Sequence, residues 1–328
     1  MIKNAVLTLA AFIHFDRILY DFKRRNNFAT ILSLHRISDE DDYFWPPIKI
    51  KTFKRLLEYC SRNYCIAGLS DLSNQDKGKP KMVLSFDDGY TDFIENALPE
   101  LARFGVPSNH NVVINCVEKN ATIWSQEMNM IFSCLKVNSF SGILMMTDKK
   151  IRFDGVRTKW QRLHQIVYEE LLKKNQEERI LAINEWKKVA SSSSSVRMMN
   201  WEQVKKCHKN GVEIGSHTVT HQTLSTLNDM NTLYHEISFS KKRIEEELRV
   251  NCKTLALPNG QYNEEVIKVS REAGYERVLL VGNLCYKPTV NRDSSILLIP
   301  RINMVEEAEH LIKLRITGFH QLLKHGRI

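Results

Sequence analysis

The sequence predicts an α/β fold built on a parallel sheet or barrel, and three observations lead there. Short apolar runs alternate with longer helical patterns along most of the 328 residues, as repeated βα units do. Most of the runs are apolar throughout, as strands covered on both faces must be. Several end abruptly in carboxylates, imidazoles or a glycine turn, where a parallel sheet places its functional side chains.

Strands are expected at 30–34, 82–86, 112–114, 212–214, 254–257 and 277–281. Between them, Asn200 with Gln203 three residues on is an N-cap with its capping-box partner, and Gly211 closes that helix, which therefore runs over about 201–210. A second helix is expected over about 229–249, with Tyr234, Ile237, Ile244 and Leu248 on one face and the Glu245/Arg249 pair on the other. A third covers about 264–273 and stops at Gly274. From Cys116 to Ala190 the pattern becomes long, mixed and helix-leaning, and it ends in the serine run 191–195, which reads as a flexible link. The organisation expected is an N-terminal amphipathic segment (1–29), a barrel (30–305) with a helical insertion at about 117–195, and a C-terminal helix (306–328) with basic ends.

A composition of 43% hydrophobic and 26% charged residues is that of a globular chain able to bury a sizeable core, and it excludes disorder. The excess of 47 Lys and Arg over 38 Asp and Glu gives a net charge of +9, which favours anionic partners. No zinc-finger spacing, RNA-binding signature or basic heptad accompanies it, so no nucleic-acid partner is expected. The seven cysteines form no C-x-x-C pair and read as buried thiols in a reducing compartment. The apolar run 5–13 is followed by His14, Asp16 and Arg17 rather than a small-residue cleavage site, so it reads as part of the mature chain. A cytoplasmic location is expected, with Lys23-Arg24-Arg25 resting the segment on an anionic membrane surface or, as the simpler reading, forming a solvated helix face.

The first cluster that carries chemistry is Ser85-Phe86-Asp87-Asp88-Gly89-Tyr90, at the end of an apolar strand. Two adjacent carboxylates repel unless a cation compensates them, and a bound metal is such a cation. Taken alone, Asp-Asp-Gly reads equally as a plain turn. The second is Gly215-Ser216-His217-Thr218-Val219-Thr220-His221, again after a strand. Histidines four apart on a helical turn share a face, so both imidazoles can reach one ion. Random placement of 11 histidines gives about 0.3 such pairs, so spacing alone says little. Position adds weight, because one carboxylate and two imidazoles at strand ends are a donor set for catalytic zinc. The third cluster is Leu257-Pro258-Asn259-Gly260-Gln261-Tyr262, either a βα loop or the wall of a groove.

In this order the three clusters resemble the polysaccharide deacetylase family, carbohydrate esterase family 4, which includes chitin, peptidoglycan and nodulation-factor deacetylases. The family's T-F-D-D-G is matched by Ser85 to Gly89 at all but the first position, and its H-S/T-x-x-H by His217 to His221 in full. The stretch Leu32-Ser33-Leu34-His35-Arg36-Ile37 is similar to the L-x-Y-H-R-I of the exopolysaccharide-synthesis branch. The resemblance implies a distorted (β/α)7-type barrel and a metal-dependent hydrolase that removes the N-acetyl group of an amino sugar in a glycan, releasing acetate. It implies Asp87 as the base, and Asp88, His217 and His221 as ligands of a divalent cation, zinc above others.

Two departures matter. Where many members carry an arginine and a tyrosine around the third motif's proline, this chain has Ala256 and Asn259, so an arginine from elsewhere must orient Asp87, and Arg301 is the candidate. The late L-x-H motif that supplies a general acid is not visible after Arg301, and His35, at the end of the first strand, is its replacement or a buried structural histidine. Contacts to an N-acetylated glycan are expected from Trp124, Pro258, Asn259, Gly260 and Tyr262, with core burial the competing reading for Trp124. Trp45, Trp160, Trp186 and Trp201 read as core or helix-face residues. Two other readings stay open: a different C–N hydrolase on this scaffold, and a glycan-binding protein that has lost turnover.

Overall fold

The computed structural model describes residues 9–10, 13–72, 78–146, 149–190, 196–288 and 296–325. Most of the apolar run 5–13 and the whole serine run 191–195 lie outside the described residues.

Seven parallel strands close into a barrel in the order β1 (Thr30–Leu34), β10 (Leu297–Asn303), β9 (Arg277–Val281), β8 (Thr254–Ala256), β7 (Val212–Ser216), β4 (Ser108–Val112) and β3 (Lys81–Phe86). Pairing of β3 back onto β1, from Thr30↔Met82 to Leu34↔Phe86, completes the ring. A short β2 (Cys65–Ile66) flanks β3 on the outside. The seven-stranded parallel barrel that the family resemblance implies is the one observed. Residues of β1 and β3 are buried throughout, which is why both read as largely apolar runs without alternation.

Helices coat the barrel: α1 (Phe15–Arg25), α2 (Ile50–Asn63), α3 (Leu98–Phe104), α4 (Ile114–Lys119), α8 (Trp201–Lys209), α9 (Met230–Tyr234), α10 (Ser240–Leu248) and α11 (Glu264–Glu272). Asn200 and Gln203 form the expected capping box on α8, each side chain accepting from the other's backbone N–H at 3.0 Å. The helix expected over 229–249 is α9 and α10 joined by a π-turn, His235–Phe239. That turn matters below because it carries Glu236.

Between α4 and α8 the insertion contains α5 (Trp124–Val137), an antiparallel hairpin β5 (Ser141–Met146) and β6 (Lys149–Asp154), α6 (Trp160–Leu172) and α7 (Gln176–Ala190). It has its own core around Phe132, Phe153 and Trp186, which meets the barrel at Tyr90 and Val113. Trp186 is fully buried and donates from Nε1 to Met145 O at 2.6 Å.

Three expectations need correction. The fourth strand lies at 108–112 rather than 112–114, because its residues Asn109, His110 and Asn111 are polar and buried inside the barrel, a pattern no apolar scan detects. Strand β10 was not expected, since Pro300 interrupts its run; the proline is tolerated because its neighbours still pair with β9 and β1. In place of one terminal helix there are two, α12 (Glu309–Ile316) and α13 (Phe319–His325). Lys23 of α1 is buried and donates to Ile316 O at 3.0 Å, which ties the two ends of the chain together. Among the described residues, no helix is long and apolar enough to cross a membrane.

Candidate active site

Asp87 follows the last residue of β3, and its N–H donates to Leu34 O at 2.9 Å, so the chain leaves the barrel still in register with β1. Asp88 then takes a positive φ of 80° and Gly89 one of 94°, a sharp reversal that sends the two carboxylates in different directions. The Asp87 carboxylate points into the barrel. Its Oδ1 accepts from Arg301 Nη1 at 2.9 Å and from Asn111 Nδ2 at 2.7 Å, while Arg301 Nη2 lies 2.7 Å from Oδ2. Ser85 Oγ joins the same cluster, donating to Asn109 Oδ1 at 2.7 Å and accepting from Asn111 and Arg301, each at 3.2 Å. Burial alone would raise the Asp87 pKa, but the Arg301 guanidinium, with His217 and His35, overrides it and holds the carboxyl well below the usual range.

Asp88 turns instead to the two histidines. Its Oδ1 lies 3.3 Å from His217 Nε2 and 3.5 Å from His221 Nε2, and all three residues are buried. His217 Nδ1 is 2.8 Å from Ala256 O, and since a carbonyl only accepts, Nδ1 carries the proton and Nε2 presents a lone pair. Asp88 Oδ1 accepts no hydrogen bond although it is buried. A buried carboxylate oxygen facing two imidazole nitrogens calls for a cation, and one carboxylate with two imidazoles suits zinc with positions left for water.

The histidine pair is not on a helical turn, which corrects the geometry expected from its spacing. The segment is a loop with positive φ at Thr218 (68°) and His221 (59°). What shapes it is Glu236, from the π-turn: its Oε2 accepts from Val219 N and Thr220 N, both at 2.9 Å. Ser216 Oγ accepts from Thr218 N at 3.1 Å, and Thr218 Oγ1 from His221 N at 3.0 Å.

The ligand set and Asp87 line a cavity of 330 Å³. A larger cavity of 840 Å³ lies around Arg36 and Asp92 and is lined by neither the ligand set nor Asp87; of its five carboxylates Glu40, Asp92 and Glu95 are paired with arginines, Asp41 with Lys49, and Asp42 accepts from Gln126. His35 stands on the wall of the smaller one, its ring 4.8 Å from that of Trp45, and burial lowers its pKa against the pull of Asp88 and Asp87. Asn259 also lines it, held by Tyr168 Oη donating to its Oδ1 at 3.0 Å and by its own Nδ2 donating to Thr223 Oγ1 at 2.8 Å.

The remaining expected contacts are placed elsewhere. Trp124 is only 9% exposed, with its ring stacked on Tyr168 and the Arg179 guanidinium over it as well, and it does not line the cavity. Tyr262 is 47% exposed and does not line the cavity. Pro258 is buried, and Gly260, at φ 67°, sits where a Cβ would be 2.4 Å from Val281 N, so its role is close approach of two backbones. Trp45, expected in the core or on a helix face, is on the cavity wall instead. Asn111, Glu236, Asn129, His164 and Tyr168 were not expected at the site. Asn111 was hidden by the misplaced strand, and the insertion residues lie in a helical pattern that carries no motif.

A profile of the polysaccharide deacetylase family matches residues 154–278. Among curated proteins, the chain is 30% identical over 133 residues to the poly-beta-1,6-N-acetyl-D-glucosamine N-deacetylase of Staphylococcus aureus, an alignment covering 38% of this chain and 44% of that one. The chain spans less than half the length of the curated relatives it matches. Solved structures share the fold: the Streptococcus pyogenes deacetylase PplD in complex with acetate (TM-score 0.59, 15% identity, 88% of this chain and 98% of that chain) and IcaB from Ammonifex degensii (TM-score 0.56, 14% identity, 89% and 97%). The ordered strand-end motifs, the closed seven-stranded barrel and these matches agree: over residues 154–278 the chain is similar to the polysaccharide deacetylase family, and its fold is shared with solved deacetylases.

Proposed function

We propose that this protein is a metal-dependent N-deacetylase acting on an N-acetylated amino sugar of a glycan. The observation that carries the reading is the convergence of Asp88, His217 and His221 on one point beside a second carboxylate, Asp87, that is separately held by Arg301. The similarity to a poly-N-acetylglucosamine deacetylase supports the substrate class.

A divalent cation, best zinc for this donor set, would be held by Asp88, His217 and His221 and would supply Lewis acidity to the attacking water and the acetamide carbonyl. Asp87 takes a proton from that water as its oxygen bonds to the carbonyl carbon. Arg301 and Asn111 fix the orientation of Asp87 but also weaken it as a base, so its contribution rests on position. The Gly89 N–H is already spent on Asp87 O, which leaves the Tyr90 N–H as the backbone donor for the developing oxyanion. The C–N bond then breaks, acetate keeps the water oxygen, and the amine leaves with a proton. Since burial keeps His35 neutral at the outset, that proton is the one Asp87 acquired, and His35 serves as a hydrogen-bonding partner to the departing nitrogen.

The test is acetate release from N-acetylglucosamine oligomers by the zinc-loaded protein and by Asp87→Asn. Turnover that disappears in the variant while the metal is retained supports the reading. A protein that binds zinc and frees no acetate from any N-acetyl sugar is something else.

A further inference from the structure

The insertion does more than decorate the barrel, because it is fastened to the mouth on both sides of its own point of entry. It leaves the barrel after β4. On one side it crosses β3 to reach the loop after β1, where Gln126 Nε2 donates to Asp42 Oδ2 at 3.0 Å and His164 stacks on Phe44 with ring centres 4.3 Å apart and planes 13° apart. On the other it crosses β7 to reach the loop after β8, where Tyr168 Oη donates to Asn259 Oδ1 at 3.0 Å. His164 is itself held 2.7 Å from Asn129 Oδ1. By the strand order, the insertion therefore passes over the ends of five of the seven strands. Among the described residues, the side left to β9 and β10 contributes only Val281 and Asn303 to the cavity wall.

A sugar inside a chain has a neighbour at each end, and both must leave the site in different directions. A terminal sugar has one. A cavity of 330 Å³, near the lower end of the roughly 300–1,000 Å³ found for small-molecule sites, is walled by Phe44, Trp45 and Tyr168, and among the described residues the β9 and β10 side is the one the insertion does not strap. Aromatic walls with the held amides of Asn129 and Asn259, and with Asn303 beside them, suit a single pyranose ring with its acetamide directed at Asp87 and Asp88.

We propose that the insertion makes this site selective for a terminal N-acetylated hexosamine, one ring with at most one glycosidic neighbour, and that internal residues of a polymer are excluded. The proposal rests on the deacetylase reading for its acetamide and on the strap for its selectivity. The terminal ring can belong to a glycan end or to a free or singly substituted amino sugar, since both present the same chemistry.

The experiment uses the full chain, zinc-loaded, with a ladder of N-acetylglucosamine oligomers from the monosaccharide upward. Acetate is counted per chain and the free amine is located by mass spectrometry. One acetate per chain at every length, with the amine on an end ring, is expected. Acetate that rises in proportion to chain length, or amines on internal rings, overturns the proposal. The monosaccharide turning over as fast as the oligomers points to the small-molecule source, and slow monosaccharide with fast oligomers points to the glycan end; either outcome supports a terminal ring. Saturation-transfer NMR on the metal-free protein with the same oligomers separates the two readings. Saturation concentrated several-fold on a terminal acetyl methyl supports the selectivity even with no acetate released, whereas equal saturation along the chain overturns it. In Tyr168→Ala, which frees the strap from Asn259, acetate per chain is expected to exceed one on the longer oligomers, and a limit unchanged from wild type removes the strap as its cause.

Discussion

Arg301 and Asp87, 214 residues apart in the chain, meet inside the barrel with Nη1 donating to Oδ1 at 2.9 Å and Nη2 2.7 Å from Oδ2, both side chains excluded from solvent. Removing one member of a buried ion pair leaves an uncompensated charge at a cost of about 3–5 kcal/mol. Arg301→Met is therefore expected to lower unfolding stability by that order, measured in urea, and to abolish turnover. Asp87→Asn combined with Arg301→Met should recover part of the stability and none of the activity. Additive losses would show that the two side chains do not act as a pair.

Metal content should follow the three converging residues. Asp88→Ala and His217→Ala are expected to purify with little bound zinc, by elemental analysis, while Asp87→Asn retains it. Zinc added to metal-free wild type should raise the melting temperature, by about 2.7 kcal/mol of stability at a hundredfold excess over Kd. No such rise is expected in Asp88→Ala.

Glu236 holds the loop between the two histidines through Val219 and Thr220. Partners that orient metal ligands typically matter by about 10–100-fold in metal affinity. Glu236→Ala should weaken zinc by that factor in a competition titration with a chelator. An unchanged affinity would mean that the loop keeps its shape without the carboxylate.

Gly215 lies on β7 where an added Cβ would be 2.2 Å from Asn111 Oδ1 and 3.1 Å from Thr254 O. Asn111 donates to Asp87, so Gly215→Ala must push it off the carboxylate or spread the strands. A loss of about 1–3 kcal/mol is expected from the overpacking, together with a fall in kcat larger than any rise in KM. Activity equal to wild type would show that Asn111 is dispensable to Asp87.

Burial holds the His164 imidazole down at about 4 against the smaller opposing pull of Asp42, compared with about 6.5 for an exposed histidine. Its folded pKa lies below the unfolded one, so the unfolded chain binds the proton first as pH falls. The stability it contributes is complete above about 6.5 and is lost as pH drops from there toward 4. His164→Phe, which keeps a ring against Phe44, should flatten part of that decline in denaturation midpoints compared between pH 7 and pH 5. His110, buried with both ring nitrogens unpartnered and also held at about 4, accounts for a further part.

Local pattern determined a good deal by itself. β1 and β9 begin and end where they are expected to, Asn200 and Gln203 cap α8 as a four-residue unit can, and the two polar clusters stand at strand ends, where a parallel barrel opens to its functional face. The tertiary structure alone decided the rest. It made the histidine pair a loop held by Glu236 instead of a helical turn, placed the polar strand 108–112 inside the barrel, and put Trp45 on the cavity wall while Trp124 went into the insertion's core. It also brought the insertion over the mouth, through Asp42, Phe44 and Asn259. The physical reason is range: helix caps and strand periodicity arise from neighbours a few residues apart. A carboxylate's partner 214 residues away, or the free face of a tryptophan, depends on closing the barrel, and no local pattern encodes it.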